Sequence, residues 1–140
     1  MSTVQLSVFL RRVLLADAAV SAGVGAVMAL GAGPLSPLLG LPASLLMVAG
    51  LMLFPYTAYL LWLATRPIAP RAAVWVPIVS NVIWAIDCGL LLFAAGVSPT
   101  SFGIAFVAVQ IVTVLAFAEL QFIGLRRALS LPRAADLHHA

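Results

Sequence analysis

The 140-residue chain is 64% hydrophobic and 8% charged, with a mean hydropathy of +1.20. Soluble domains carry about 25% charged residues, so this composition excludes a water-soluble fold and points to a polytopic membrane protein. The net charge of +3 comes from seven basic residues, all arginine, and the lone cysteine, Cys88, excludes an intramolecular disulfide or a paired-thiol redox site.

A membrane-spanning helix needs about 20 mostly apolar residues, and four runs supply them. The first, about Val13 to Ala32, follows Arg11-Arg12. It reads as a retained helix rather than a cleaved signal peptide, because Asp17 interrupts it and it is long for a signal core. Ser21, Gly25 and Ala29 recur at four-residue spacing, a pattern that lets helices approach closely. Asp17 shares the Ser21 face and lies ~7 Å past Arg12, within reach of an interfacial arginine or water. The second run, about Pro42 to Ala64, opens on a proline tolerated at a helix start. Within it, Pro55 frees the Leu51 carbonyl, and Tyr56 and Tyr59 bring hydroxyls that need partners.

The third run, about Ala72 to Ala95, contains VSNVIWAIDCGLLLF. Ser80, Trp84 and Asp87 fall on one helical face, with Asn81 and Cys88 at its edges. Such a face is expected to look inward, since lipid cannot satisfy it. Asp87 lies ~13 Å from the end of the run at Gly96, beyond reach of any arginine, so neutral partners must satisfy it. The fourth run, about Ser101 to Leu125, carries Gln110 at the depth of Asp87, and Gln110, Thr113, Phe117 and Gln121 form a second stripe. Gln110 is the expected partner of Asp87. Glu119 points away from Gln110, ~10 Å inside Arg126.

The connectors GAGPLSPLLGLP, TRPIAPR and GVSPTS are short and rich in turn residues. They predict an all-α fold, an antiparallel up-down four-helix transmembrane bundle over residues 1–127, with a short tail over 128–140. All seven arginines fall on one side of such a bundle, and the first and third connectors are uncharged. The positive-inside rule then makes both termini cytoplasmic, in a cell membrane crossed several times.

LRRVLLADAAVSA, LLGLP, FPYTAYLLWLA, SNVIWAIDCGLLL, SPTSFGIAFVAVQ and AELQFIGLRR together resemble a family of small bacterial four-span integral membrane proteins. The resemblance covers about Leu10 to Arg127. It implies the four-span fold and a bacterial cytoplasmic membrane, and brings no catalytic residue with it.

No span contains histidine, so a bis-histidine haem has no ligands, and the acids sit at different depths without partners for a metal. His138-His139 in the tail lacks further ligands. No nucleotide or hydrolase fingerprint occurs, and the arginines flank spans, which argues against nucleic acid. No cofactor or metal is expected. The expected partners are the lipid bilayer, a small apolar ligand, and further copies or another membrane subunit.

Three readings compete. In the first, a non-enzymatic bundle binds a small apolar or amphipathic ligand, or protons, through Asp87, Trp84, Asn81, Gln110 and Tyr56, with Asp17 and Glu119 as secondary acids. In the second, an accessory subunit uses its polar residues only to fix helix packing. The third is a membrane isomerase with a carboxyl acid or base.

Overall fold

A computed structural model describes residues 2–130; the His138-His139 pair and the rest of the tail beyond Ser130 lie outside the described residues. The fold is helical apart from two three-residue strands. In chain order it comprises β1 (Thr3–Gln5), α1 (Val8–Leu30), α2 (Ala32–Leu39), α3 (Ala43–Ala64), β2 (Ile68–Pro70), α4 (Arg71–Leu91) and α5 (Ser101–Ser130). Four of the helices, α1, α3, α4 and α5, are long and apolar enough to cross a membrane, and the chain is accordingly a multi-pass membrane protein.

The four expected spans are present with shifted ends. Helix α1 starts five residues earlier than the apolar run, because Ser7 caps it by accepting the Leu10 amide at 3.1 Å. Helix α4 stops at Leu91 rather than Ala95, and turn residues follow up to the positive-φ Gly96. Helix α5 runs through the arginines to Ser130.

Helix α2 was expected as a loop. Pro34 lies in its first turn, where a missing N–H costs little, and Gly40 ends it in the left-handed region at φ 67°. A side chain at Gly40 would also collide with the Ser98 carbonyl. Thr100 locks this connector to the one before α5: its amide donates to Leu39 O at 3.0 Å and its hydroxyl to Leu38 O at 2.7 Å.

At the opposite, arginine-bearing end, β1 pairs antiparallel with β2 in the register Thr3↔Pro70, Val4↔Ala69, Gln5↔Ile68. The Leu6 amide donates to Pro67 O and the Arg71 amide to Ser2 O, both at 3.0 Å, lengthening the ladder. Val4 and Ala69 turn into the bundle while Thr3 and Gln5 stay exposed, the two-residue period of a strand. Arg66 stacks on Trp62, Arg126 on Phe122 and Arg127 on Phe9 with guanidinium-to-ring distances of 4.9, 5.7 and 5.2 Å.

The long helices pack as two pairs, α1 with α3 and α4 with α5, joined mainly through α1 and α5. Between long helices the closest approach at a glycine lies where a Cβ on Gly50 would come within 2.7 Å of the Ala29 amide nitrogen and 2.8 Å of Gly25 O. The small-residue stripe of α1 thus meets a glycine of α3 that its own pattern did not single out. Short connectors led to the expectation that every sequential pair would pack. Helices α3 and α4 instead scarcely touch, because the connector between them leaves to pair with β1.

Gly50→Leu should lower bundle stability by about 1–3 kcal/mol through overpacking, whereas Gly23→Leu, which meets nothing within 4 Å, should be silent. Thermal unfolding of the detergent-solubilised variants checks the contrast, and an equal response at both glycines refutes it.

Candidate functional site

The early start of α1 takes Arg11 and Arg12 into the helix and sets Asp17 well inside it. Counted from Val8 it lies ~13 Å along the helix, at 1.5 Å per residue, close to the middle rather than at one end. It is 1% exposed. Its expected partner, an interfacial arginine or water, is replaced by four neutral donors. Ser21 Oγ, one turn on, donates to Asp17 Oδ1 at 3.1 Å. Tyr56 of α3, Asn81 of α4 and Gln121 of α5 donate to Oδ2 at 2.8, 3.0 and 2.7 Å. The Asn81 amide also reaches Gln121 Oε1 at 3.4 Å. One carboxyl group therefore binds all four long helices together.

Each contact to Asp17 is one that it accepts, which matches the acceptor capacity of a carboxylate. Asn81 and Gln121 are 3% and 0% exposed, so the cluster is closed and leaves no free edge for a ligand. Tyr56 and Asn81 from the expected ligand set belong here. Gln121 was legible as a stripe member, but its role required knowing how deep Asp17 sits. Ser7 ahead of an apolar run is the N-cap signature that would have supplied the start of α1.

Asp87 corrects the central expectation. The buried face of α4 is centred on Asn81, Ala85 and Cys88, one position round from the face drawn through Ser80, Trp84 and Asp87. Asp87 is exposed, and with α4 ending at Leu91 it lies only ~6 Å from the helix end. None of the described side-chain pairs includes it. Its expected partner, Gln110, instead accepts from Trp84 Nε1 at 3.1 Å and directs its own amide at the Met28 sulfur, 4.0 Å away. Glu119 is also exposed. It is two residues from the inward Gln121, hence on the far side of α5.

Asp87, Trp84 and Gln110 are nonetheless brought together. They line a cleft of about 340 Å³ in the gap between α3 and α4, towards the end remote from the arginines. Its walls are otherwise apolar: Met28 from α1, Leu46, Ala49 and Met52 from α3, and Val107 from α5 among them. On α3 and α4 the cleft stops one turn short of the Asp17 cluster, at Met52 before Tyr56 and at Trp84 after Asn81. The polar residues read as one interior thus form two sites, one closed and one open.

Among the described residues, no group of three or more histidine, cysteine or acidic side chains is placed to hold a metal. Cys88 is buried on the cleft wall.

The two acids should respond oppositely to truncation. Asp17→Ala strands buried donors on three other helices and should cost about 2–4 kcal/mol. Asp87→Ala and Glu119→Ala remove exposed, unpaired groups and should stay within about 0.5 kcal/mol of the parent. Denaturant unfolding in mixed micelles measures all three, and a loss at Asp87 matching that at Asp17 would contradict the assignment.

Comparison with protein-family models, curated proteins and solved structures finds no match to this chain.

Proposed function

We propose that this chain is a non-enzymatic membrane bundle that holds one small amphipathic molecule in the cleft between α3 and α4. The observation that carries the reading is the cleft itself. At about 340 Å³ it falls within the range of small-molecule pockets, about 300–1,000 Å³. It has the composition such pockets share, an apolar wall with a few polar groups, here Trp84, Asp87 and Gln110. The accessory-subunit reading draws its support from the Asp17 cluster, whose hydrogen bonds are satisfied within the chain. The two readings thus divide the residues: Tyr56 and Asn81 fix packing, while Trp84, Gln110 and Asp87 face the ligand. An isomerase has less behind it, since Gln110 is engaged by Trp84 and only one acid lines the cleft.

The same proposal includes orientation. Six of the seven arginines, those within the described residues, cluster at the β1–β2 end, and the connectors at the other end carry no charge. The positive-inside rule makes the arginine end cytoplasmic, with the chain crossing a cytoplasmic membrane up and down and the cleft opening towards the outer leaflet. The resemblance to small four-span proteins adds a bacterial setting.

A chain with Trp62→Phe and Trp75→Phe leaves Trp84 as the sole tryptophan and a reporter on the cleft wall. Titration of this protein in nanodiscs with n-octanol should shift Trp84 emission saturably, and Ala49→Phe, which fills the cleft, should abolish the shift without lowering the melting temperature. A linear, non-saturating response identical in both proteins would refute a cleft site.

Orientation is checked independently. A fluorescent protein fused after Ala140 should fluoresce in bacterial cells and an alkaline phosphatase fusion should be inactive; the reverse pair would invert the topology.

A further inference from the structure

We infer that the occupant of the cleft carries a positively charged head, held by the Asp87 carboxylate beside Trp84, with its apolar body lying in the gap between α3 and α4; this rests on the cleft being a ligand site. Four observations converge. Asp87 is the one charged residue on the cleft wall. It is exposed and has no side-chain partner among the described residues, unlike Asp17, which accepts four hydrogen bonds within the chain. The arginines Arg11, Arg12, Arg66, Arg71, Arg126 and Arg127 belong to the opposite end of the bundle, so no cation of the described chain competes for it. Trp84 lies one turn before Asp87 on the same wall, and its ring is fixed by the bond from Nε1 to Gln110.

A carboxylate with a neighbouring indole suits an organic cation twice over. The carboxylate gives a charge-assisted contact, and the tryptophan π-system attracts ammonium groups, most strongly where water is excluded. An anionic ligand would face uncompensated repulsion from Asp87, and a purely apolar one would leave that carboxylate unsatisfied at the edge of hydrocarbon. Volume narrows the choice further. About 340 Å³ lies at the small end of ligand pockets, suited to one short chain or ring system rather than a two-chain lipid. The occupant is therefore a freely diffusing amphiphilic amine or quaternary ammonium compound, entering sideways from the bilayer.

The test compares three probes with one tail, n-octyltrimethylammonium, n-octanol and n-octanesulfonate. Each is titrated into nanodiscs carrying the full chain with Trp84 as its only tryptophan, with empty discs as the blank. The ammonium probe should half-saturate the Trp84 signal at a concentration about tenfold below octanol, the advantage expected of one charged contact. The sulfonate should not saturate. Asp87→Asn should bring the half-saturation concentrations of the ammonium and octanol probes together, with the melting temperature unchanged. Equal binding of all three probes, or an ammonium advantage that survives in Asp87→Asn, overturns the charged-head inference and leaves the cleft reading standing. Absence of saturation with every probe overturns both.

Discussion

A single carboxyl group, buried where four helices meet, is the constraint on which the bundle depends. Asp17 accepts from a side chain of its own helix and from one side chain on each of α3, α4 and α5. Helix association inside a bilayer lacks the hydrophobic driving force available in water, so packing and polar contacts must supply it. An aspartate at a helix centre costs about 2.5–3.5 kcal/mol on the insertion scale, and interhelical hydrogen bonds average about 0.6 kcal/mol each. Three of the four bonds are interhelical, and at that average they offset about 1.8 kcal/mol, most of the lower figure. The net contribution to stability is small, and the consequence is specificity: only one register of the four helices lets all four donors reach the same carboxyl.

The rest of the architecture follows from how little else crosses the bundle. Helices α1 and α3 meet backbone to backbone at Gly25 and Gly50, and α4 packs on α5. The β1–β2 ladder closes the arginine end, and the Thr100 contacts to Leu38 and Leu39 hold the other. Between these ties one side-chain hydrogen bond joins α3 to α4 directly, from Tyr59 Oη to Ala73 O at 2.7 Å near the arginine end, and the other link runs through Asp17, which Tyr56 and Asn81 share. The cleft opens on the side of that shared contact away from the arginines. Closing it would require α3 and α4 to pivot about the polar cluster, which the two end ties oppose.

Composition and hydropathy made the helical class and the four long helices legible, because twenty-residue apolar runs have few other uses. The small-residue face of α1 was legible for the same kind of reason. The side-chain geography was less so. Burial on a membrane helix turns 100° with each residue, so a face drawn through Ser80, Trp84 and Asp87 missed the true one by a single position. Helix ends mattered as much. A cap at Ser7 and a stop at Leu91 each moved an end by four or five residues, and the stop brings Asp87 to within about one turn of its helix end. The β1–β2 pair left no period in the sequence, since three residues on each side are too few to show one.

The exchange of roles between the two aspartates carries the general point. Asp87 has no arginine near it in sequence, whereas Asp17 follows an arginine pair closely. Sequence distance to a cation nevertheless said nothing about which acid had partners. What decided it was the supply of donors at matching depth on other helices. Tyr56, Asn81 and Gln121 converge on the level of Asp17, and the level of Asp87 offers Trp84 and Gln110, which satisfy each other. An intramembrane acid is buried where neutral donors outnumber acceptors, and left at a surface where they are already paired. By that measure Asp17 was bound to become the structural centre, and Asp87 the acid left without a partner on the wall of the cleft.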